Sequence, residues 1–138
     1  MARTLLIDSG PIVAALCQRD RHHDWARTHF EAATEPFVTC EAVISECFHL
    51  FDRVHEGKET FCRLLERGVV IVDYSFTDQI RKTIRLIRRY QDTPMSFADA
   101  CLVRMSEQSN DPAVFTTDSV FRIYRRNGRQ MIPVVMPE

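Results

Sequence analysis

Thr4-Leu5-Leu6-Ile7-Asp8-Ser9-Gly10-Pro11 is the stretch that decides the fold. Its apolar residues do not alternate with polar ones, and the run is closed by an acid and then by a turn signal. A strand of that kind is buried on both faces, as in a parallel sheet. Further brief runs repeat the pattern: Phe37-Val38-Thr39, the β-branched Val69-Val70-Ile71-Val72, Ala113-Val114-Phe115-Thr116 and residues 131–135 all read as strands. Helical spacing fills the intervals, at residues 12–16, 20–33, 40–54, 58–67, 75–90, 97–108 and 120–126. In the third of these, Ile44, Cys47, Phe48 and Phe51 fall at i, i+3, i+4 and i+7 and form one apolar stripe. In the fifth, Ile80, Ile84 and Ile87 are expected to face inward, with arginines outward. Short apolar strands separated by helices imply an α/β fold, a three-layer α/β/α sandwich around a mainly parallel sheet. No internal repeat, low-complexity segment or linker interrupts it, so residues 1–138 are expected to form a single domain.

Composition narrows the class. Eighteen Lys and Arg against nineteen Asp and Glu leave a net charge of −1, so any nucleic-acid contact must come from local basic faces rather than bulk charge. No apolar run approaches the ~20 residues of a membrane span. Asp8 and the lack of a small-residue cleavage site argue against a signal peptide. The five cysteines are odd in number and widely spaced, which suits free thiols in a reducing compartment. The expectation is a cytoplasmic protein.

In open parallel sheets ligands sit beyond the carboxyl ends of the strands. Asp8 closes the first strand, and Asp118 follows the strand that ends in Thr116-Thr117. Asp99 opens a helix within Ser96-Phe97-Ala98-Asp99-Ala100, and Glu46 lies on the helix after the second strand. Each has an ordinary explanation. Asp8 and Asp118 can cap the helices after them, Ser96-x-x-Asp99 has the form of a capping box, and Glu46 points away from its helix's apolar stripe. As a set they mean more. Carboxylates gathered at one cleft repel, and without a cation some must take up protons. All-oxygen ligation suits Mg2+ or Mn2+, which can lower the pKa of bound water and brace the oxyanions of a phosphodiester. Four acids at one cleft therefore point to metal-assisted phosphodiester hydrolysis.

The sequence resembles the PIN-domain ribonucleases, of the kind found as the toxin in VapBC-type toxin–antitoxin pairs. The resemblance is carried by Leu5-Leu6-Ile7-Asp8-Ser9, Ser45-Glu46, Pro94-Met95-Ser96-Phe97-Ala98-Asp99-Ala100 and Thr116-Thr117-Asp118-Ser119-Val120-Phe121, in that order. It implies a five-stranded parallel sheet between helices and a Mg2+- or Mn2+-dependent endonuclease acting on RNA. Its acids map to Asp8, Glu46, Asp99 and Asp118, with Asp8, Asp99 and Asp118 holding the cation and Glu46 aligning or ligating from across the cleft. Ser9 and Thr116 match its supporting polar positions. One departure is plain: many relatives carry a further acid two residues after the last one, and here that position is Val120. The resemblance also implies a small inhibitory antitoxin and a homodimer as partners.

Arg122, Arg125, Arg126 and Arg129 follow Asp118 closely, and the first three are expected to contact RNA phosphates. Arg81, Lys82, Arg85, Arg88 and Arg89 read as a solvated helix face. Gly10 is isolated and supports no phosphate-binding loop. Rival activities lack their acids: a receiver domain needs an acid pair near the first strand, and a haloacid-dehalogenase-type phosphatase needs D-x-D where Asp8-Ser9-Gly10 stands. Two alternatives stay open, a free-standing PIN-domain ribonuclease without antitoxin and a catalytically inert PIN-like module that binds RNA or protein.

Overall fold

The computed structural model describes residues 3–138. In chain order the elements are β1 (Thr4–Ile7), α1 (Ser9–Leu16), α2 (His23–Ala32), β2 (Phe37–Thr39), α3 (Glu41–Leu50), α4 (Gly57–Glu66), β3 (Val70–Val72), α5 (Phe76–Arg89), α6 (Phe97–Gln108), β4 (Pro112–Phe115), β5 (Arg125–Arg126), β6 (Gln130–Met131) and β7 (Val134–Val135). Short 3-10 turns cover Phe51–Arg53 and Ser119–Arg122. Five strands form one parallel sheet of order β3-β2-β1-β4-β7. Leu6 of β1 lies opposite both Val38 and Val114, so β1 is the central strand. With α1 packed on α2, α3 and α4, and α5 packed on α6, helices sandwich the sheet in three layers, as the strand–helix alternation required.

Burial follows the non-alternating pattern. Leu6 and Ile7 of β1 and all of β4 are buried. Phe37, Phe51, Phe61, Phe115, Phe121 and Leu102 extend the core around them, and Trp25 meets the Phe115 ring edge-on at 4.9 Å. Cys40, Cys47 and Cys101 are buried free thiols. Among the described residues, no helix is long and apolar enough to cross a membrane.

Four expectations are corrected. Ser9-Gly10-Pro11 is no free turn but the first turn of α1, with Asp8 as its N-cap; proline is tolerated there because first-turn N–H groups have no intrahelical partner. Residues 120–126 are not one helix: a 3-10 turn ends at Arg122, and Arg125–Arg126 pair antiparallel with Gln130–Met131 as a hairpin. Asn127 and Gly128 make that reversal possible with φ of 52° and 83°, a region asparagine and glycine enter most easily. The last strand is correspondingly split, and only Val134–Val135 joins the main sheet. On α5 the buried residues are Thr83 and Leu86, while Ile80 is 44% exposed and Ile84 and Ile87 are half-buried. A break in helical geometry at Gln79 (φ −115°, ψ 15°) interrupts the α5 helix one residue before Ile80.

Candidate active site

The carboxyl ends of the central strands carry the site. β1 runs into Asp8, whose N–H donates to Phe115 O at 3.0 Å, so the ends of β1 and β4 are tied side by side. The buried Thr39, at the end of β2, donates its hydroxyl to Ile7 O at 2.7 Å and secures the last carbonyl before Asp8. β4 runs on through Thr116 and Thr117 to Asp118. The N-terminus of α6 brings Asp99, and α3 brings Glu46. These residues line one cleft of about 530 Å3: Asp8, Glu46, Asp99 and Asp118, with Ser9, Gly10, Thr117 and the Pro94–Ser96 wall. All four acids expected from the sequence therefore face a common space, Glu46 included despite its place off the apolar stripe of α3.

Ser9 and Thr116 link Asp8 to Glu46 and to Asp118. Ser9 Oγ donates to Glu46 Oε1 at 2.5 Å while its N–H donates to Asp8 Oδ1 at 2.8 Å. Thr116 Oγ1 donates to Asp8 Oδ2 at 2.8 Å and accepts the N–H of Asp118 at 3.0 Å. Asp99 completes a capping box with Ser96: Ser96 Oγ accepts from Asp99 N at 3.0 Å, and Asp99 Oδ2 accepts from Ser96 N at 3.2 Å. A second donor reaches the same Oδ2, the hydroxyl of Tyr124 at 2.9 Å. Asp118 caps the 3-10 turn after it, accepting from Val120 N.

The electrostatics are those of crowded acids. Burial pushes the Asp8 carboxyl up from 3.8 to about 6; the hydrogen bonds from Thr116 and Ser9 oppose the rise, and the charges of Asp99 and Glu46 add to it. Asp99 is also raised, by burial first and then by Asp118, against the hydrogen bonds of Tyr124 and Ser96. Among the described residues, no three Asp, Glu, His or Cys side chains close on one point as they stand. The donor set nonetheless fits a hard divalent cation. It is all oxygen, it opens on a polar cleft, and two of its members are held above the usual carboxylate range partly by their neighbours' negative charge, which a cation would offset.

The arginines separate by what they touch. Arg125 Nη1 donates to the carbonyls of Arg122, Ile123 and Tyr124, closing the end of the 3-10 turn. Arg126 Nη2 donates to Ser106 O and Ser109 O at 2.7 Å each, satisfying the C-terminal carbonyls of α6. Arg122 has no side-chain partner among the described residues and is exposed. Two neighbours of the acids escaped the sequence reading. Gly10 lies so close to Thr117 that a Cβ there would run into Thr117 Oγ1, a contact no local pattern encodes. Tyr124 sat in a stretch read as helix, which gave no reason to aim it at Asp99.

A family profile described as "PIN domain" matches residues 5–127, which spans β1 to the β5–β6 hairpin and includes all four acids. This chain belongs to the PIN-domain family. Its fold matches the crystal structure of the Mycobacterium tuberculosis toxin VapC20, described as a sarcin-ricin loop cleaving toxin, with a TM-score of 0.74 over 84% of this chain and 91% of that one. Identity between the two is 18%, so the likeness speaks to the PIN fold. No curated protein sequence matches this PIN domain significantly.

Proposed function

We propose that this PIN-domain protein is a Mg2+- or Mn2+-dependent endoribonuclease, and that it is the toxin of a type II toxin–antitoxin pair. The observation that carries the reading is the gathering of Asp8, Glu46, Asp99 and Asp118, from four separate elements, on one cleft, with Ser9 joining Asp8 to Glu46 and Thr116 joining Asp8 to Asp118. Asp8, Asp99 and Asp118 would hold the cation. Bound there, the ion would supply a lowered water pKa and positive charge against the oxyanions of a phosphodiester. Ser9 holds Glu46 on the same cleft, where its exposed carboxylate can align the attacking water. In-line attack forms the new P–O bond as the bond to the 3′-oxygen breaks, leaving a 5′-phosphate and a 3′-hydroxyl.

Of the three arginines expected to contact RNA, Arg122 is the one without a side-chain partner among the described residues, whereas Arg125 and Arg126 are anchored to carbonyls and would act chiefly by holding the segment after Asp118. The reading brings with it a cytoplasmic location, a homodimer and a small antitoxin partner. VapC20 is described as cleaving the sarcin-ricin loop, which makes ribosomal RNA the first substrate to try. The test is incubation with total RNA and Mg2+ or Mn2+, a chelator control, and mapping of the cut ends. Discrete cuts bearing 5′-phosphates, abolished by chelator, are expected; intact RNA under all conditions would favour the inert binding module.

A further inference from the structure

Tyr124 is the largest wholly buried side chain among the described residues, and its hydroxyl is directed at the acidic cleft. The ring is fixed by edge-on contacts with Tyr90 at 5.1 Å and Phe121 at 5.3 Å. Phenylalanine would fill the same space, so packing alone does not call for the oxygen. A buried hydroxyl without partners costs free energy, and here both partners belong to the cleft: Asp99 Oδ2 at 2.9 Å and Pro94 O at 2.6 Å. A phenol has one proton, so it donates to one of them at a time. The bond to an ionised carboxylate is charge-assisted and the stronger of the two.

The consequence lies in how the two Asp99 oxygens are used. Oδ2 receives both Tyr124 Oη and Ser96 N, while Oδ1 receives no donor among the described residues. One oxygen is pinned to the protein and the other is left for the cleft. We propose that Tyr124 is a positioning residue for Asp99, pinning Oδ2 so that Oδ1 is presented to the divalent cation. This inference rests on the metal-dependent nuclease reading above. Hydrogen-bond partners behind a metal-binding carboxylate typically matter by about 10–100-fold in metal affinity or activity.

The test compares Tyr124→Phe with Tyr90→Phe, which removes a phenol that serves the Arg125 N–H rather than an acid. Mn2+ affinity is measured by calorimetry, RNA cleavage is followed across Mn2+ concentrations, and melting is recorded in chelator. Tyr124→Phe is expected to bind Mn2+ about tenfold more weakly. Its cleavage should fall at limiting Mn2+ and recover at saturating Mn2+, with an unchanged KM for RNA. Tyr90→Phe should bind Mn2+ like the parent. Parent-like affinity in Tyr124→Phe would overturn the inference, as would equal losses in both variants or a loss that excess Mn2+ does not recover. If the parent cleaves RNA but Tyr124→Phe is indistinguishable from it, only the inference falls; if the parent neither binds Mn2+ nor cleaves, the nuclease reading falls with it. Should Tyr124→Phe not fold, the hydroxyl proton of Tyr124 in the parent protein decides by NMR. It should shift when Mg2+ is added, and an unmoved resonance contradicts the proposal.

Discussion

Thr116 Oγ1 donates to Asp8 Oδ2 at 2.8 Å, joining residues 108 positions apart, and the same oxygen accepts the N–H of Asp118. One hydroxyl thus holds one acid by its carboxylate and another by its backbone. Thr116→Val keeps the shape and removes both bonds. A buried acceptor left without its donor costs about 1–3 kcal/mol, so urea denaturation near neutral pH should show a loss of that size. The bond also holds the Asp8 carboxyl down against its burial, so the acid limb of the cleavage rate should move to higher pH in the variant. An unmoved limb would mean that Thr116 does not govern Asp8.

Asp8 makes stability itself pH-dependent. Its carboxyl lies at about 6 in the folded protein against 3.8 in the unfolded chain, so the folded state favours the protonated form. The associated stability is present below pH ~4 and is lost as pH rises through about 6. A rise of this size corresponds to about 3 kcal/mol. Asp99, also raised, acts in the same direction. In chelator, melting temperature attributable to these groups should fall between pH 4 and 7, Asp8→Asn should flatten most of that fall, and Mn2+ should offset it above pH 6. A parent profile identical to that of Asp8→Asn would contradict the assignment.

Most of the sheet was legible because a parallel strand buried on both faces leaves an uninterrupted apolar run, as in Leu5-Leu6-Ile7 and Ala113-Val114-Phe115. The placing of the acids followed from where those runs stop. The stretch after Asp118 was not legible. Val120, Phe121 and Tyr124 have helical spacing, yet one 3-10 turn satisfies them equally, and the Asn127-Gly128 hairpin signal lacks the alternating strands that usually frame it. That misreading hid Tyr124. On α5 the isoleucines gave the right period, but the buried line runs through Thr83 and Leu86, which leaves Ile84 and Ile87 half-buried and Ile80 exposed beside the break at Gln79.

Gly10 is required by space rather than by backbone angle. A methyl group there would strike Thr117 Oγ1 and sit 3.2 Å from Thr117 Cβ, displacing the residue before Asp118. Gly10→Ala should cost about 1–3 kcal/mol, the usual range for overpacking, and should lower RNA cleavage. Adding Thr117→Ala should restore most of the stability. If the double variant is no more stable than Gly10→Ala alone, the contact is not the cause.

Arg122 is expected to meet phosphate. In an Asp99→Asn background that binds without cutting, Arg122→Ala should weaken RNA binding and reduce the slope of log affinity against log salt by about 1. Arg126→Ala should instead lower the melting temperature, because it frees the carbonyls at the end of α6. A salt slope unchanged by Arg122→Ala would remove that residue from the RNA path.

The central claim is that four acids from separate parts of the chain serve one cation. Calorimetric titration of Mn2+ into the parent protein and into Asp8→Asn, Asp99→Asn, Asp118→Asn and Glu46→Gln tests it directly. The account predicts saturable binding to the parent, with each aspartate substitution weakening it by about tenfold or more while the fold is retained. A parent that binds no Mn2+, or binds it with an affinity that none of the four substitutions changes, would contradict the account.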